Sequence, residues 1–308
     1  MPPLKHTTSH LLMIKPVAFG FNAQTAVNNA FQQAGGDTDT QLRAEAEFDA
    51  FVEKLSAAGI DVTVVKDTAS PHTPDSVFPN NWVSFHQDGS VILYPMYAAN
   101  RRAERKAHVV AAVATKFQIE RVLDFSDEEA HGRFLEGTGS MVLDRQNKVA
   151  YACLSPRTEE SLFRAWCERL GFTGIAFRSV DAQGQEIYHT NVMMCVADRY
   201  AVVCSDSIRA PEEKRAVLER LAQDGKRIVE IDHAQMSRFA GNLLQVENAS
   251  GQTLLVMSSQ AYAALTAEQI ETLQAFDPIV HSDIRTIETH GGGSARCMMA
   301  EVFLAPKR

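Results

Sequence analysis

The stretch NVMMCVADRYAVVCS (residues 191–205) places a polar turn between two apolar runs and therefore predicts a β-hairpin. It is followed by RAPEEKRAVLERLAQDG (209–225), in which apolar residues recur every three or four positions, as in an amphipathic helix. The apolar run KRIVEID (226–232) then predicts a third strand. Strand, strand, helix and strand form one unit.

The same unit occurs three more times along the chain. Its first strands are predicted to begin at Asn81, Gly139, Asn191 and Asn242, about 50 to 60 residues apart. Each hairpin is followed by a helical pattern and a short apolar strand, as in RTEESLFRAWCERLG and TGIAFRSV. The repetition predicts one architecture for most of the chain.

A fifth unit is divided between the two termini. CMMAEVFLA (297–305) supplies one strand at the end of the chain, whereas LLMIKP (11–16) and residues 43–66 supply a strand, a helix and a strand at its beginning. A ring of five such units, closed by both termini, leaves no exposed sheet edge. We therefore predict an α/β fold with five-fold pseudosymmetry, formed by a single domain over residues 1–308.

Composition limits the classes of function. The net charge of −8 argues against a nucleic-acid or anionic membrane partner. RRAERK (101–106) is the densest basic run, and its spacing favours a solvated helix face. Five cysteines without a C-x-x-C pair suit a reducing compartment, and no segment resembles a signal peptide or a membrane span, so a cytoplasmic location is expected.

The repeat aligns chemically distinct residues just before the first strands. Glu136, His189 and Cys297 occupy corresponding positions in three units. Taken alone, each has a structural explanation, such as a buried core cysteine. Brought to one axis, they supply a nucleophile, a general acid/base and a carboxylate for a polar substrate, and the glycines of HGGGSARC allow close approach of the backbone.

Five motifs in this order resemble those of a known superfamily: PDSVFPNNW, LEGTGSMVLD, YHTNVMM, AGNLLQV and GGGSARCM. Across its length the chain is similar to the arginine deiminase and amidinotransferase superfamily of guanidino-modifying enzymes. The similarity is greatest to the citrulline-utilization hydrolases. The resemblance implies the five-fold αβ-propeller called a pentein.

The resemblance also implies roles for individual residues. Cys297 is then the nucleophile, His189 the general acid/base, and Glu136 a carboxylate that binds the planar nitrogen group of the substrate. Asp75 matches a position that contacts the nitrogens or the main-chain end of the substrate. Arg157, in LSPRT, matches a turn whose arginine grips an α-carboxylate. Arg101 and Arg102 are alternatives for that role, although a surface pair at a helix start explains them equally well.

The chain departs from the pattern of its relatives near the substrate. Asn80, Asn81 and Asn191 stand where guanidine-acting relatives often carry acids, and Asn242 lies at the corresponding position of the next unit. A guanidinium carries a charge and five N–H donors, whereas a neutral ureido group has a carbonyl oxygen that an asparagine amide can bind. The sequence therefore favours citrulline as substrate.

Other functions remain open on the sequence alone. Hydrolysis of arginine or dimethylarginine, amidino transfer, and a non-catalytic binding role of the same fold are the alternatives. We expect a small amino-acid substrate, no cofactor and no metal, because the chain has no H-E-x-x-H motif and no close cysteine/histidine cluster. A homodimer is compatible with the sequence.

Overall fold

Five three-stranded sheets organise the chain in a computed structural model that describes residues 4–35 and 39–307. In each sheet the second strand of the unit is central, antiparallel to the first and parallel to the third. The strands of the five sheets are, in turn, Val83–Phe85, Ser90–Leu93 and Arg121–Asp124; Met141–Asp144, Val149–Cys153 and Thr173–Phe177; Met194–Val196, Tyr200–Val203 and Arg227–Glu230; Leu244–Glu247, Thr253–Ser258 and Ile279–Ser282; and Ala300–Glu301, His10–Lys15 and Asp61–Lys66.

The fifth sheet confirms the predicted division of one unit between the termini. Leu11 lies opposite Glu301 in an antiparallel pair, and His10 lies opposite Asp61 in a parallel pair. The two ends of the chain are therefore joined by backbone hydrogen bonds of one sheet.

Helices make the crossovers between the parallel second and third strands. In the second unit, the carboxylate of Glu159 caps the helix Glu160–Leu170 by accepting from the backbone N–H groups of Ser161 and Leu162, and Gly171 ends it with a φ of 69°. None of the helices in residues 4–35 and 39–307 is long and apolar enough to cross a membrane. The α-helices are Ala23–Ala26, Thr40–Ala57, Ala107–Lys116, Gly137–Ser140, Glu160–Leu170, Thr190–Met193, Pro211–Gln223, His233–Met236, Ser259–Ala264, Ala267–Gln274 and Arg285–Gly291.

Burial decreases from the first strand of a unit to the third. The first strands Val83–Phe85 and Met194–Val196 are entirely buried, whereas Arg121–Asp124 and Arg227–Glu230 are largely exposed. A backbone bridge joins Phe85, in the first strand of one unit, to Val302, which directly follows the first strand of another. The first strands thus form the inner part of the fold, and their ends are the natural place for a shared site.

Two sequence predictions differ from the structure locally. The first strands begin two or three residues later than predicted, because short helical turns such as Pro79–Asn81 and Thr190–Met193 precede them. The basic run 101–106 is not a solvated helix face: Arg101 and Glu104 are buried, each 2% exposed, in the 3₁₀ helix Ala99–Glu104. The two side chains form an ion pair with each other, whereas the sequence pattern predicts that they are solvated.

Candidate active site

Three reactive side chains lie just before the first strands of three units. Glu136 and His189 directly precede one-turn helices, and Cys297 lies within the 3₁₀ helix Ala295–Met298. All three are buried, with exposures of 0%, 2% and 3%. The repeat therefore brings together residues that are more than 50 positions apart in sequence.

His189 and Glu136 form a close pair with a defined direction. Nε2 of His189 lies 2.8 Å from Oε2 of Glu136. Burial alone would raise the pKa of Glu136, but the charge of Arg157 and the hydrogen bond from His189 lower it to about 2. Burial lowers the pKa of His189 to about 4, against the raising effect of Glu136. A neutral imidazole therefore donates Nε2–H to the ionised carboxylate, which leaves Nδ1 as an acceptor.

Gly139 allows a close approach beside this imidazole. A Cβ at this position would lie 2.4 Å from Nδ2 of Asn81 and 2.8 Å from Nδ1 of His189. Any side chain here would displace one of these groups. Gly139 therefore lets the Asn81 amide and the His189 imidazole lie next to each other.

Two asparagine amides surround the thiol of Cys297. Nδ2 of Asn242 lies 3.3 Å from Sγ, and Nδ2 of Asn191 lies 3.5 Å from it. The Asn242 amide is held in this orientation because its Oδ1 accepts from the backbone N–H of Arg296. N–H donors directed at sulfur stabilise a thiolate more than a thiol.

The glycines before Cys297 are packed rather than loose. Gly292 ends the helix Arg285–Gly291 with a φ of 64°, and its carbonyl accepts from the hydroxyl of Tyr188. A Cβ at Gly293 would lie 2.9 Å from the Phe78 ring. The predicted close approach is therefore made to protein side chains, and it sets the course of the backbone into the nucleophile.

A second set of charged groups, Arg101 and Asp75, lines the same cavity. Arg101 binds both carboxylate oxygens of Glu104, at 2.8 and 2.9 Å, and donates from Nη1 to Oδ1 of Asn81 at 2.9 Å. Oδ2 of Asp75 accepts from Asn22 and lies 3.8 Å from Nε of Arg101. Oδ1 of Asp75 is buried without a hydrogen-bond partner among the described residues, and burial raises the pKa of Asp75.

Residues 22–32 cover the cavity and occupy Arg157. Nε and Nη2 of Arg157 donate to Oδ1 of Asn28, and Nη2 also donates to the carbonyl of Thr25 at 2.8 Å. Nη1 lies 3.6 Å from Oε2 of Glu136. The cavity has a volume of only about 10 Å³, roughly the least that one water needs. Arg157 thus joins the covering segment to the carboxylate of the His189 pair.

The structure brings some of the predicted residues to the lining of the cavity and places the others outside it. Asn191 and Asn242 contact the thiol from behind, Glu136 contacts His189, and Asn80 is fully buried outside the lining. Arg102 also lies outside the cavity, against the Phe134 ring. The predicted residues that line the cavity are Asp75, Asn81, Arg101, Arg157, His189 and Cys297.

Sequence reasoning missed the covering residues. Thr25 and Asn29 line the cavity, and Tyr188 closes it beside Gly292. The polar stretch FNAQTAVNN (21–29), lying between a predicted strand and a predicted helix, is a long loop of the kind that often carries function.

Comparisons with known proteins place this arrangement in a family. The family model described as N,N dimethylarginine dimethylhydrolase, eukaryotic, matches residues 15–304. No curated protein matches the chain. Unliganded ArgZ, an arginine dihydrolase from the ornithine-ammonia cycle in Cyanobacteria, has a similar structure with a TM-score of 0.76 and 18% identity, covering 97% of this chain and 41% of ArgZ.

Two further solved structures match over nearly their whole length. The N-terminal domain of ArgZ bound to product has a TM-score of 0.74 at 18% identity, covering 95% of this chain and 97% of that domain. An adduct of a dimethylarginine dimethylaminohydrolase variant with S-methyl-L-thiocitrulline has a TM-score of 0.67 at 17% identity, covering 96% and 99%. At these identities the structures show a common fold. Together with the family match, which extends over nearly the entire sequence, they show that the chain belongs to the dimethylarginine dimethylhydrolase family of the arginine-modifying pentein superfamily.

Proposed function

We propose that the chain is a cysteine-dependent hydrolase of citrulline. In the overall reaction, citrulline and water give ornithine, ammonia and carbon dioxide. Family membership supports hydrolysis of a carbon–nitrogen bond at a guanidino-type carbon. The choice of a ureido rather than a guanidino substrate rests on the amide of Asn81.

Asn81 presents an N–H donor to the cavity. Its Oδ1 accepts from Nη1 of Arg101, and since arginine only donates, the orientation of the amide is determined. Its Nδ2 is buried and has no acceptor among the described residues. A ureido oxygen would accept this hydrogen bond, whereas a guanidinium has only donors to offer.

The charges near the thiol agree with a neutral reacting group. Asn191 and Asn242, rather than carboxylates, contact Sγ of Cys297. Glu136 and Asp75 are the acids of the predicted site, and each already faces an arginine: Arg157 at 3.6 Å and Arg101 at 3.8 Å. A guanidinium enclosed here would be only partly compensated, and that costs several kcal/mol.

The reaction proceeds through a covalent adduct. Cys297 transfers its proton to Nδ1 of His189 and attacks the ureido carbon, while Nδ2 of Asn81 stabilises the developing oxyanion. His189 then gives the proton to the departing amine. In the second step, after ornithine has left as the amine, the neutral imidazole accepts a proton from water, which attacks the carbon of the S-carbamoyl (thiocarbamate) adduct. The imidazolium returns the proton to the sulfur of Cys297 as the C–S bond breaks, and the carbamic acid that is released decomposes to ammonia and carbon dioxide. Glu136 stabilises the imidazolium in both steps.

Substrate access requires movement of residues 22–32, because the cavity under them holds about one water. Thr25 and Asn28 occupy donors of Arg157 in the covered form. When they leave, the Arg157 guanidinium becomes available for the α-carboxylate, and Oδ1 of Asp75 is available for the α-ammonium.

Hydrolysis of arginine or a methylated arginine is the second candidate. It is favoured by the description of the family model and by the two buried carboxylates, Asp75 and Glu136. Transfer of the adduct to an amine instead of water is a further variant of the same chemistry. We also infer that the five sheets close into the propeller, because both termini share one sheet and a bridge joins Phe85 to Val302.

The test is product release from citrulline, arginine and dimethylarginine assayed in parallel. Ornithine and ammonia from citrulline, absent in Cys297→Ser, are expected. Turnover of arginine without turnover of citrulline would retain the cysteine mechanism and refute the ureido assignment.

A further inference from the structure

A cavity at the opposite ends of the first strands from Cys297 is lined mainly by cationic and aromatic side chains. It lies between two hairpin turns, one after Val83–Phe85 and one after Met141–Asp144, and has a volume of about 60 Å³. That is several times the roughly 10–15 Å³ that one water needs. We call it the Arg145 cavity; its lining includes His86, Asp88, Arg145, Lys148, Phe172 and Phe303.

Arg145 is buried with most of its hydrogen-bonding capacity unused. It is 7% exposed, and its Cζ lies 4.2 Å from the centroid of the Phe303 ring. Nε is 3.7 Å from Oε1 of Glu301, Nη1 is 3.5 Å from Nδ1 of His86, and Nη2 has no partner among the described residues. Buried guanidinium groups normally have their N–H donors satisfied. The unpaired Nη2 donors of Arg145 can therefore bind an additional hydrogen-bond acceptor.

Positive charge exceeds negative charge around this guanidinium. Its carboxylate partner, Glu301, is shared with Arg296, which binds it at 2.8 Å. The carboxylate of Asp88 is paired with Arg121. Two guanidinium groups therefore share one buried carboxylate, which leaves a cation without a full counter-charge.

Lys148 adds a second cation to the same cavity. Its Nζ lies 4.4 Å from the centroid of the Phe172 ring and donates to the carbonyl of Leu170. Its backbone has a φ of 55°, a left-handed conformation that lysine rarely adopts and that asparagine adopts more readily. Asparagine can therefore replace Lys148 with less backbone strain, and the replacement removes the ammonium group.

His86 is a neutral neighbour rather than a third cation. Burial lowers its pKa well below the usual value, with a contribution from Arg145. Because Nδ1 faces an arginine N–H, the proton is on Nε2, which donates to Oγ of Ser84 at 2.8 Å. The imidazole therefore helps to orient Arg145 and leaves the charge balance unchanged.

We propose that the Arg145 cavity binds a small inorganic oxyanion, with phosphate as the probe, between the guanidinium of Arg145 and the ammonium of Lys148. Arginine and lysine are the usual partners of phosphate oxygens, and the cavity is too small for a nucleotide. This site is separate from the catalytic cavity and does not depend on the proposed function.

The test measures phosphate binding by calorimetry and by thermal unfolding at constant ionic strength. Saturable binding and a saturable rise in Tm are expected for the wild type. Lys148→Asn, which suits the left-handed backbone, should weaken binding at least tenfold without loss of folding. Arg145→Gln should do the same. Arg164→Gln, which removes an exposed arginine paired with Glu160, is the charge-matched control and should bind as the wild type does.

Crystals soaked in selenate locate the ion by anomalous scattering. Density between Arg145 and Lys148, together with saturable binding in solution, supports the proposal. Selenate in the cavity without saturable binding in solution means an adventitious ion only and overturns it. Binding lost in Arg157→Gln but kept in Lys148→Asn would place the anion in the catalytic cavity instead, and equal Tm shifts in all variants would indicate a general salt effect; both overturn the proposal.

Discussion

Replacing Asn81 by aspartate tests the substrate assignment at a single atom. The carboxylate keeps an acceptor for Nη1 of Arg101, so the bond that orients the side chain remains. The Nδ2 donor becomes an oxygen, which repels the ureido oxygen of citrulline. Removing one oxyanion-hole donor typically lowers kcat by about 10²–10³, or about 2.7–4 kcal/mol. Because the Asn81 donor is buried and has no other partner among the described residues, we expect the full loss.

The assay compares kcat/KM for citrulline and arginine in the wild type and Asn81→Asp. Citrulline turnover should fall about 10²–10³-fold, whereas arginine should be affected much less because the new carboxylate can pair with its guanidinium. Asn248→Asp adds the same charge at a partly exposed hairpin turn and should leave both rates unchanged. Equal losses for the two substrates, or citrulline turnover within threefold of the wild type, would refute the role given to Asn81.

The remaining predictions concern the catalytic cavity. Because burial lowers the pKa of His189 to about 4, kcat/KM should stay constant from neutral pH down to about 5 and fall as the imidazole becomes protonated below 4; an acid limb near 6.5 in the pH profile would contradict this. Asn191→Ala removes a donor at 3.5 Å from Sγ and should slow alkylation of Cys297 by iodoacetamide about tenfold; an unchanged rate would mean that the amide does not stabilise the thiolate. Arg101→Gln leaves Glu104 buried without its partner and should lower the Tm and abolish turnover, whereas the matched Arg102→Gln, outside the cavity, should retain at least half of the activity; equal effects would contradict the placement. Gly139→Ala should lower kcat at least tenfold with the protein still folded, as checked by circular dichroism, since its methyl group displaces the Asn81 amide or the imidazole; wild-type kcat would show that the close approach is dispensable.

The repeat unit was predictable because its signals are local. Hairpins and amphipathic helices each have a characteristic spacing of apolar residues that can be read from the sequence. Once four similar units were identified, the fifth, which is divided between the termini, could be recognised. The pairing of Leu11 with Glu301 confirms that division. The same repetition placed Glu136, His189 and Cys297 at corresponding positions, and the structure brings Glu136 and His189 to 2.8 Å.

Residues at the edges of the pattern were less predictable. Spacing alone favoured a solvated helix for residues 101–106, but Arg101 and Glu104 are buried as a pair. The apolar spacing in AYAALTAEQIETLQAF (261–276), after the fourth hairpin, indicates one helix, whereas the structure has two, with Thr266 capping the second. In both places the spacing of the apolar residues is compatible with either conformation. A side-chain partner or a helix cap determines which conformation forms.

The sequence by itself determined the α/β repeat and the joining of the termini, and its repetition placed Glu136, His189 and Cys297 at corresponding positions, because these features follow from short-range periodicity. Only the tertiary structure decided how those side chains are oriented. The direction of the Asn81 amide depends on Arg101, and the partners of Arg157 are Thr25 and Asn28, which lie more than 100 residues away. Hydrogen-bond direction and burial depend on contacts between distant segments, and these contacts exist only once the five units have packed together.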